Sequence, residues 1–188
     1  VLYISPLKAL NNDIQRNLSE PLSDLRNRAE AVGDPPHAIT TAVRTGDTAP
    51  SARAAMVRNP PDILITTPES VYLLLTSPKA REILRTVETV IVDEIHTVSD
   101  NKRGTHLALS LERLERIAPG FQRIGLSATQ RPVEEVARFL GGQSLASDGE
   151  TTIAAPRPVS IVDVDYEKEI DVRVYGIAES SGFETASS

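Results

Sequence analysis

The stretch VIVDEIHTVSDNKRGTH, residues 90–106, decides how this sequence is interpreted. Its first three residues are β-branched and apolar, which is typical of a buried strand, and they run directly into two carboxylates, Asp93 and Glu94. From these residues alone, two explanations stay open. The acidic pair either caps the next helix, or it binds Mg²⁺ beside a nucleotide phosphate and orients an attacking water. His96 is likewise either a packed or exposed histidine or a functional one.

The composition excludes several classes of protein. A chain of 188 residues with 40% hydrophobic residues fits one domain, or slightly more, with a packed core. Since there is no cysteine, neither a disulfide framework nor a thiolate metal site is possible. No apolar run approaches the roughly 20 residues that span a bilayer, so we expect no membrane partner and a cytoplasmic location. The first residues, VLYISPLKAL, lack an initiator Met and a basic segment and predict a strand entered mid-domain, as in a fragment truncated at its N-terminus.

The net charge of −6 argues against nucleic acid as a partner only until its distribution is considered. Residues 148–188 hold nine acidic and three basic residues, whereas residues 1–147 hold 17 of each. The acidity therefore belongs to the C-terminal piece. In the neutral remainder, the basic pair Lys102 and Arg103 is able to contact phosphates, although a solvated basic turn explains the pair equally well.

Short apolar runs alternate with helical periods along most of the chain. Five runs predict strands, at 1–4, 38–43, 62–67, 89–93 and 123–127. Apolar residues recur at helical spacing between and after them, in the stripes Leu7–Leu10–Ile14–Leu18, Leu107–Leu111–Leu114–Ala118 and Val133–Val136–Ala137–Leu140. Short strands alternating with helices predict an α/β fold whose parallel sheet carries helices on both faces.

Polar segments follow three of the other predicted strands at the point where each ends. SPLKAL comes directly after the first strand, TTPES after another and SAT after a third. Because the carboxyl ends of parallel strands meet at one edge of a sheet, we expect these segments to lie beside Asp93 and Glu94. Small hydroxyl side chains, helix N-termini and one lysine suit a phosphodiester backbone. Taken singly, each segment is also explained as an ordinary helix N-cap.

Together these segments resemble the first RecA-like domain of superfamily 2 helicases, and more narrowly the Lhr (large helicase-related) family. SPLKALNNDIQRNL is similar to motif Ia, RTGDT (44–48) to the short loop motif that follows it, and TTPES (66–70) to motif Ib. DEIH (93–96) resembles motif II, the Walker B box, and SAT (127–129) resembles motif III. The resemblance covers about residues 1–165 and implies a partial RecA-like domain of the P-loop NTPase type.

The resemblance implies roles for residues at a nucleotide. Asp93 would coordinate Mg²⁺ through water, and Glu94 would position and polarise the water that attacks ATP. His96 would link the nucleotide site to motif III, where Ser127 and Thr129 would couple hydrolysis to domain movement through hydrogen bonds. ATP and Mg²⁺ are therefore the expected cofactors.

The resemblance also implies a track for nucleic acid. Lys8 and the backbone beside it would hold the translocated strand, Thr67 would contact a phosphate, and Glu69 would mainly organise its loop. The residues implied to bind the strand are Pro6, Lys8, Thr67, Pro68, Glu69, Lys102 and Arg103. The expected partners are single-stranded or forked nucleic acid, DNA in preference to RNA, and the second RecA-like domain of the same parent chain.

No Gly-Lys pair occurs in the sequence, so the P-loop by which these enzymes bind ATP is expected upstream of Val1, and the chain alone is expected to hydrolyse ATP poorly. Residues 1–145 are assigned to the RecA-like domain. Residues 146–178 are assigned to an exit strand or linker toward the second domain, with a period-two pattern at 161–177 that suits a hairpin, and residues 179–188 to a disordered tail.

Two other functions stay open for a chain with these features. One is a non-catalytic interaction module that retains the sheet, and the other is the motor fragment of a restriction system. A P-loop about 25 to 40 residues before the first residue would support a motor, and its absence from the gene would support the interaction module.

Overall fold

The structure is a computed structural model that describes residues 1–34, 38–128, 132–147 and 152–163. In chain order its elements are β1 (Leu2–Ile4), α1 (Lys8–Ala31), β2 (Thr41–Arg44), α2 (Pro50–Arg58), β3 (Ile63–Thr66), α3 (Pro68–Thr76), α4 (Pro78–Glu82), β4 (Thr89–Val92), a 3₁₀ turn (Ile95–Thr97), α5 (Lys102–Glu115), β5 (Gln122–Gly125), α6 (Val133–Gly141), β6 (Gln143–Ser147) and β7 (Thr152–Pro156).

Strands β1 to β5 form one parallel sheet in the order β2-β3-β1-β4-β5. All five predicted strands are present, with ends that differ from the predicted ones by at most three residues. Helix α1 lies against β2 and β3, while α3 and α5 pack against each other. The predicted α/β fold with a parallel sheet is therefore confirmed.

The hydrophobic core lies between one face of the sheet and helices α3, α5 and α6. Leu2, Ile4, Val90 and Val92 alternate along their strands, are at most 1% exposed, and belong to one cluster with residues of these helices. The predicted stripe of α5 belongs to the same cluster, and its four members are Leu107, Leu111, Leu114 and Ala118. The apolar residues that alternate along the strands and those that recur at helical spacing in α5 thus pack into one core.

Helix α1 is longer than its apolar stripe predicts. Leu10, Ile14 and Leu18 are half-buried, but the helix continues through Pro21 to Ala31. Proline has no N–H to donate to the preceding turn, and for this reason a proline normally predicts a helix end or kink. Among the described residues, α1 and the other helices include none that is both long and apolar enough to cross a membrane.

A second sheet was not predicted. Strands β6 and β7 pair antiparallel, directly after α6, whose C-cap is Gly142 with a φ of 60°. The hairpin expected at 161–177 lies mostly outside the described residues, and its described part, 161–163, is in neither sheet. The expected disordered tail, 179–188, also lies outside them.

Candidate functional site

The carboxyl ends of the five parallel strands lie level with one another. Ile4 pairs in register with Thr66 and with Val92, Thr66 pairs with Arg44, and Val92 pairs with Gly125. The next residue of each strand therefore stands in one row along the sheet edge, and the row reads Thr45, Thr67, Ser5, Asp93 and Leu126. The structure thus brings the polar segments singled out in the sequence to a single edge.

The acidic turn, residues 93–96, follows β4 at this edge. The Asp93 N–H donates to the carbonyl of Ile4 at 2.9 Å, and its Oδ1 accepts from the N–H of Glu94 at 2.9 Å. Glu94 has a φ of 46°, in the left-handed region that costs a non-glycine residue about 1–2 kcal/mol. Both carboxylates are half-buried. The turn is therefore a defined conformation that is held against backbone strain.

The cap of α5 is Asn101 and not the acidic pair. Asn101 Oδ1 accepts from the N–H groups of Arg103 (3.0 Å) and Gly104 (3.2 Å), and its Nδ2 donates to the carbonyl of Thr97 at 2.7 Å. The simpler explanation of the two carboxylates, as the cap of the next helix, therefore has no support in the contacts. Asn101 itself was missed, although asparagine directly before a helical period is a recognised N-cap signal.

His96 connects the acidic turn to the loop after β5. The Ala128 N–H donates to His96 Nδ1 at 3.3 Å, so this nitrogen must carry the lone pair. In the neutral ring the proton then sits on Nε2, which lies 3.3 Å from Glu94 Oε2. Ser127 Oγ is also 3.3 Å from Nδ1. Thr129, the other predicted residue of this loop, lies outside the described residues.

The donor set at the acidic turn fits only one kind of metal site. No group of three or more His, Cys, Asp or Glu side chains in the described ranges is arranged to hold a metal ion. Mg²⁺ usually keeps several waters and takes one or two protein carboxylates together with substrate phosphates, so a single Asp93 carboxylate fits it. Burial, and after it the hydrogen bond and charge of Asp93, raise the pKa of Tyr3 well above its ordinary value. The neighbouring phenol therefore stays protonated and able to donate to that carboxylate.

Lys8, in the first of the two strand-end loops (residues 5–8), forms an ion pair with Asp47. Both side chains are more than half exposed. Lys8 and Asp47, with Thr45 and Thr48, line a cleft of about 250 Å³ beside β2. Lys8, which was predicted to bind the nucleic-acid strand, thus lies in an open polar cleft, but its ammonium is already paired with the Asp47 carboxylate.

The second strand-end loop, residues 67–69, begins α3. Thr67 is only 6% exposed, and its Oγ1 accepts from the N–H of Ser70 at 3.4 Å and lies 3.2 Å from Ser70 Oγ. Pro68 occupies the first helical position and is buried. The contacts therefore show the N-cap explanation of Thr67 directly, whereas Glu69 is exposed and able to reach other loops.

The two neighbouring basic residues Lys102 and Arg103 have different surroundings. Arg103 Nε donates to Glu69 Oε1 at 2.7 Å, and its Nη2 donates to the carbonyl of Pro6 at 3.0 Å. Lys102 is exposed, and its side chain has no hydrogen bond or ion pair within the part of the chain that the structure describes. Partial burial raises the pKa of Glu69, but the hydrogen bond and charge of Arg103, together with hydrogen bonds from the Glu69 N–H and from Thr67, outweigh it and hold that pKa below its ordinary value.

A buried arginine behind the second loop was also missed. Arg44 ends β2, is 8% exposed, and donates from Nη1 to the carbonyl of Ser70 at 3.1 Å. Desolvation, and after it the charge of Arg53, lower its pKa. Its position in RTGDT was the available signal, but a strand-end arginine gives no indication of whether it points inward.

Comparison with known proteins identifies the family. A family profile described as DEAD/DEAH box helicase matches residues 1–137. The chain is 56% identical over 171 residues to the ATP-dependent helicase Lhr-Core of Methanothermobacter thermautotrophicus. The aligned region covers 91% of this chain and 19% of that protein. It is 49% identical over 175 residues to the Lhr helicase/uracil glycosylase of Escherichia coli, and this alignment covers 93% of this chain and 10% of that protein.

A solved structure gives the same result. The structure of Mycobacterium smegmatis helicase Lhr bound to ssDNA and AMP-PNP matches with a TM-score of 0.73 and 61% identity, over 76% of this chain and 18% of that one. The chain thus spans about a fifth, or less, of the length of these relatives. The chain belongs to the DEAD/DEAH box helicase family, and over most of its length it is similar to the Lhr helicases, as its motifs predict.

Proposed function

We propose that this chain is part of an ATP-dependent DNA helicase, in which the acidic turn acts on ATP and the two strand-end loops hold a single DNA strand. The observation that carries the proposal is the position of His96, which contacts both Glu94 and the loop after β5. This contact joins the residue that orients the attacking water to a loop of the neighbouring strand. An acidic helix cap would not need such a connection.

The chain's own residues supply orientation and proton acceptance at the nucleotide. Asp93 would hold Mg²⁺ through water, and the ion, when bound, neutralises charge on the phosphates. Glu94 positions the attacking water and accepts its proton, while His96, whose Nε2 lies 3.3 Å from Oε2, limits where the carboxylate moves. Ser127 and Thr129, which follow β5 in the sequence, would couple ATP hydrolysis to movement of the domains through hydrogen bonds.

The strand-end loops bind the sugar-phosphate backbone and not the bases, so binding depends little on sequence. Lys8 provides the exposed cation, and the N-termini of α1 and α3 face the same edge. DNA is favoured over RNA because a relative that is 61% identical over the matched region has been solved with ssDNA and AMP-PNP. A second RecA-like domain of the same protein completes the site, and residues 146–178 form the linker toward that domain. The protein acts in the cytoplasm.

The test is ATP hydrolysis by the full-length protein with single-stranded DNA, with single-stranded RNA and without nucleic acid. We expect phosphate release to be stimulated most by DNA. Glu94→Gln keeps the shape of the side chain but cannot accept the proton, so kcat should fall about a hundredfold or more with nucleotide binding nearly intact. Near-normal kcat in this variant would contradict the role of Glu94, and stimulation by RNA alone would contradict the choice of DNA.

A further inference from the structure

We infer that Arg103 is a positioning residue that holds the two strand-end loops at a fixed spacing, and that it does not bind the nucleic acid itself. The inference rests on the proposed function of these loops. Arg103 donates to Glu69 Oε1 at 2.7 Å and to the carbonyl of Pro6 at 3.0 Å. These acceptors lie 34 and 97 residues away in the chain, one in each loop. A single side chain therefore connects α5 to both loops.

The chemistry of this contact requires a guanidinium. Arginine presents its donors in a rigid planar fork, so the same side chain meets a carboxylate with one nitrogen and a carbonyl with another. A lysine ammonium is a compact point charge without that fixed geometry. Because Arg103 is 46% exposed and Glu69 54% exposed, this pair contributes little to stability. Its contribution is geometric, since it determines where the loop of Glu69 lies relative to Pro6.

The backbone of Arg103 is itself fixed to the acidic turn. Asn101 accepts from the N–H of Arg103 and donates to the carbonyl of Thr97, and the N–H of Thr97 donates to the carbonyl of Glu94 at 2.9 Å. Gly104 is buried, and an added Cβ there would collide with the carbonyl oxygen of Val98. The start of α5 is thus packed tightly against the segment that follows Glu94. The spacing of the strand-end loops therefore depends on the position of the acidic turn.

Lys102 provides a matched control. It carries the same charge as Arg103 and is its chain neighbour, but it is exposed and without a side-chain partner among residues 1–34, 38–128, 132–147 and 152–163. If phosphate attraction were the function of this basic pair, Lys102 would be better placed for it. Substituting each residue in turn therefore distinguishes an effect of charge, which both residues share, from an effect of loop position, which only Arg103 has.

Glu69 gives a test in which the two explanations predict opposite signs. If Arg103 bound phosphate, removing the Glu69 carboxylate would release the guanidinium and remove a repelling charge, so DNA affinity would rise. If Arg103 is a positioning residue, Glu69→Ala frees the loop and affinity falls, as it does in Arg103→Ala. Glu69→Gln removes the same charge but keeps an oxygen that accepts from Arg103 Nε, so it should retain affinity.

The experiment is a titration of fluorescent single-stranded DNA of two unrelated sequences with the full-length protein at several salt concentrations. We expect Arg103→Ala and Glu69→Ala each to weaken binding about three- to tenfold on both sequences, and the double variant to be no weaker than either alone. Arg103→Lys should resemble Arg103→Ala. Lys102→Ala should instead reduce the salt slope of log K by about 0.7, as expected for one lost phosphate contact on a single strand.

Tighter binding by Glu69→Ala, or additive effects in the double variant, would overturn the inference. Equal loss in Glu69→Ala and Glu69→Gln would also overturn it, because the hydrogen bond would then be irrelevant. Absence of DNA binding by the wild-type protein would instead contradict the proposed function. Melting temperatures of all variants show whether a loss of affinity reflects unfolding, and the Glu69 pair remains decisive if an Arg103 variant does not fold.

Discussion

The two halves of the sheet edge treat charge differently. In the acidic turn, the described structure gives neither Asp93 nor Glu94 a Lys or Arg ion-pair partner, and their side-chain contacts include a backbone N–H, the Tyr3 phenol and His96. In the strand-end loops, by contrast, Lys8 pairs with Asp47 and Arg103 pairs with Glu69. One half keeps its carboxylates without a fixed cation, and the other already neutralises most of its charges.

Under the proposed function, this difference predicts how each half meets its ligand. A carboxylate without a cation is ready for Mg²⁺ or for a proton from water, so the acidic turn needs no rearrangement of ion pairs. A lysine already paired with a carboxylate has to exchange that partner for a phosphate, and the exchange lowers affinity by the strength of the pair. We therefore expect phosphate binding at Lys8 to be weakened by the exchange of its ion-pair partner, whereas Mg²⁺ binding at Asp93 requires no such exchange.

The largest effect is expected at Gly104, where the start of α5 packs against the segment that follows the acidic turn. Gly104→Ala places a methyl group on the carbonyl oxygen of Val98, which is backbone and cannot move aside as a side chain would. The free energy of unfolding should fall by about 3 kcal/mol or more. Urea denaturation measures this loss. Gly46→Ala is the control, since nothing lies within 4 Å of its added Cβ, and an equal loss in both variants would contradict the packing argument.

The second prediction separates the two contacts of His96. An asparagine side chain resembles the Nδ1 half of the ring and keeps an acceptor for the Ala128 N–H, but its amide donor does not extend to the position of Nε2 beside Glu94. A glutamine resembles the Nε2 half and keeps that donor. We expect His96→Asn to lower kcat about 10- to 100-fold while DNA affinity stays within twofold of wild type. His96→Gln should retain more activity than His96→Asn, and the reverse order would show that the contact with Ala128 matters more.

The third prediction concerns the exchange of partners at Lys8. Lys8→Ala should weaken DNA binding similarly on unrelated sequences and reduce the salt slope of log K by about 0.7. Asp47→Asn releases the ammonium and should strengthen binding about two- to fivefold, because the phosphate no longer competes with a carboxylate. Titrations of both variants at several salt concentrations measure these changes. Unchanged affinity in both would remove Lys8 from the track.

The smallest effect is a pH dependence at Glu69. Its pKa in the folded protein is held below the ordinary value of 4.5, so the ion pair with Arg103 adds to the free energy of unfolding above about that pH. As the pH falls through the folded-state pKa, this contribution is lost. It should amount to less than about 1 kcal/mol, because both side chains are exposed. Unfolding curves from pH 7 to pH 3 should therefore converge for wild type and Glu69→Gln at the acidic end.

The local features of the sequence predicted the strands and the edge of the sheet. Apolar runs of four to six residues located all five strands, and the polar residues after them indicated which edge carries the site. The continuation of α1 past Pro21 was not predictable from its period, because residues 21–31 are mostly exposed and carry no continuous apolar stripe. Strands β6 and β7 were missed because their sequences, QSLAS and TIAAP, show no clear alternation of apolar and polar residues.

The contacts between loops were beyond sequence reasoning for a physical reason. Arg103 and Pro6 are 97 residues apart, and their hydrogen bond depends on how closely α5 approaches the sheet. That approach depends in turn on Gly104, whose lack of a side chain is visible in the sequence but whose neighbour, Val98, is not. The position of these residues at one sheet edge was therefore predictable, whereas their pairing was not.

The left-handed conformation of Glu94 places this domain in a conflict between selection for stability and selection for turnover. With a φ of 46°, the position suits glycine, and Glu94→Gly would relieve about 1 kcal/mol of backbone strain. The same substitution removes the group proposed to accept the proton from water. A screen that rewards only heat resistance would therefore favour glycine at this position and select variants without the proposed proton acceptor. Retaining a carboxylate here requires selection that measures ATP turnover directly.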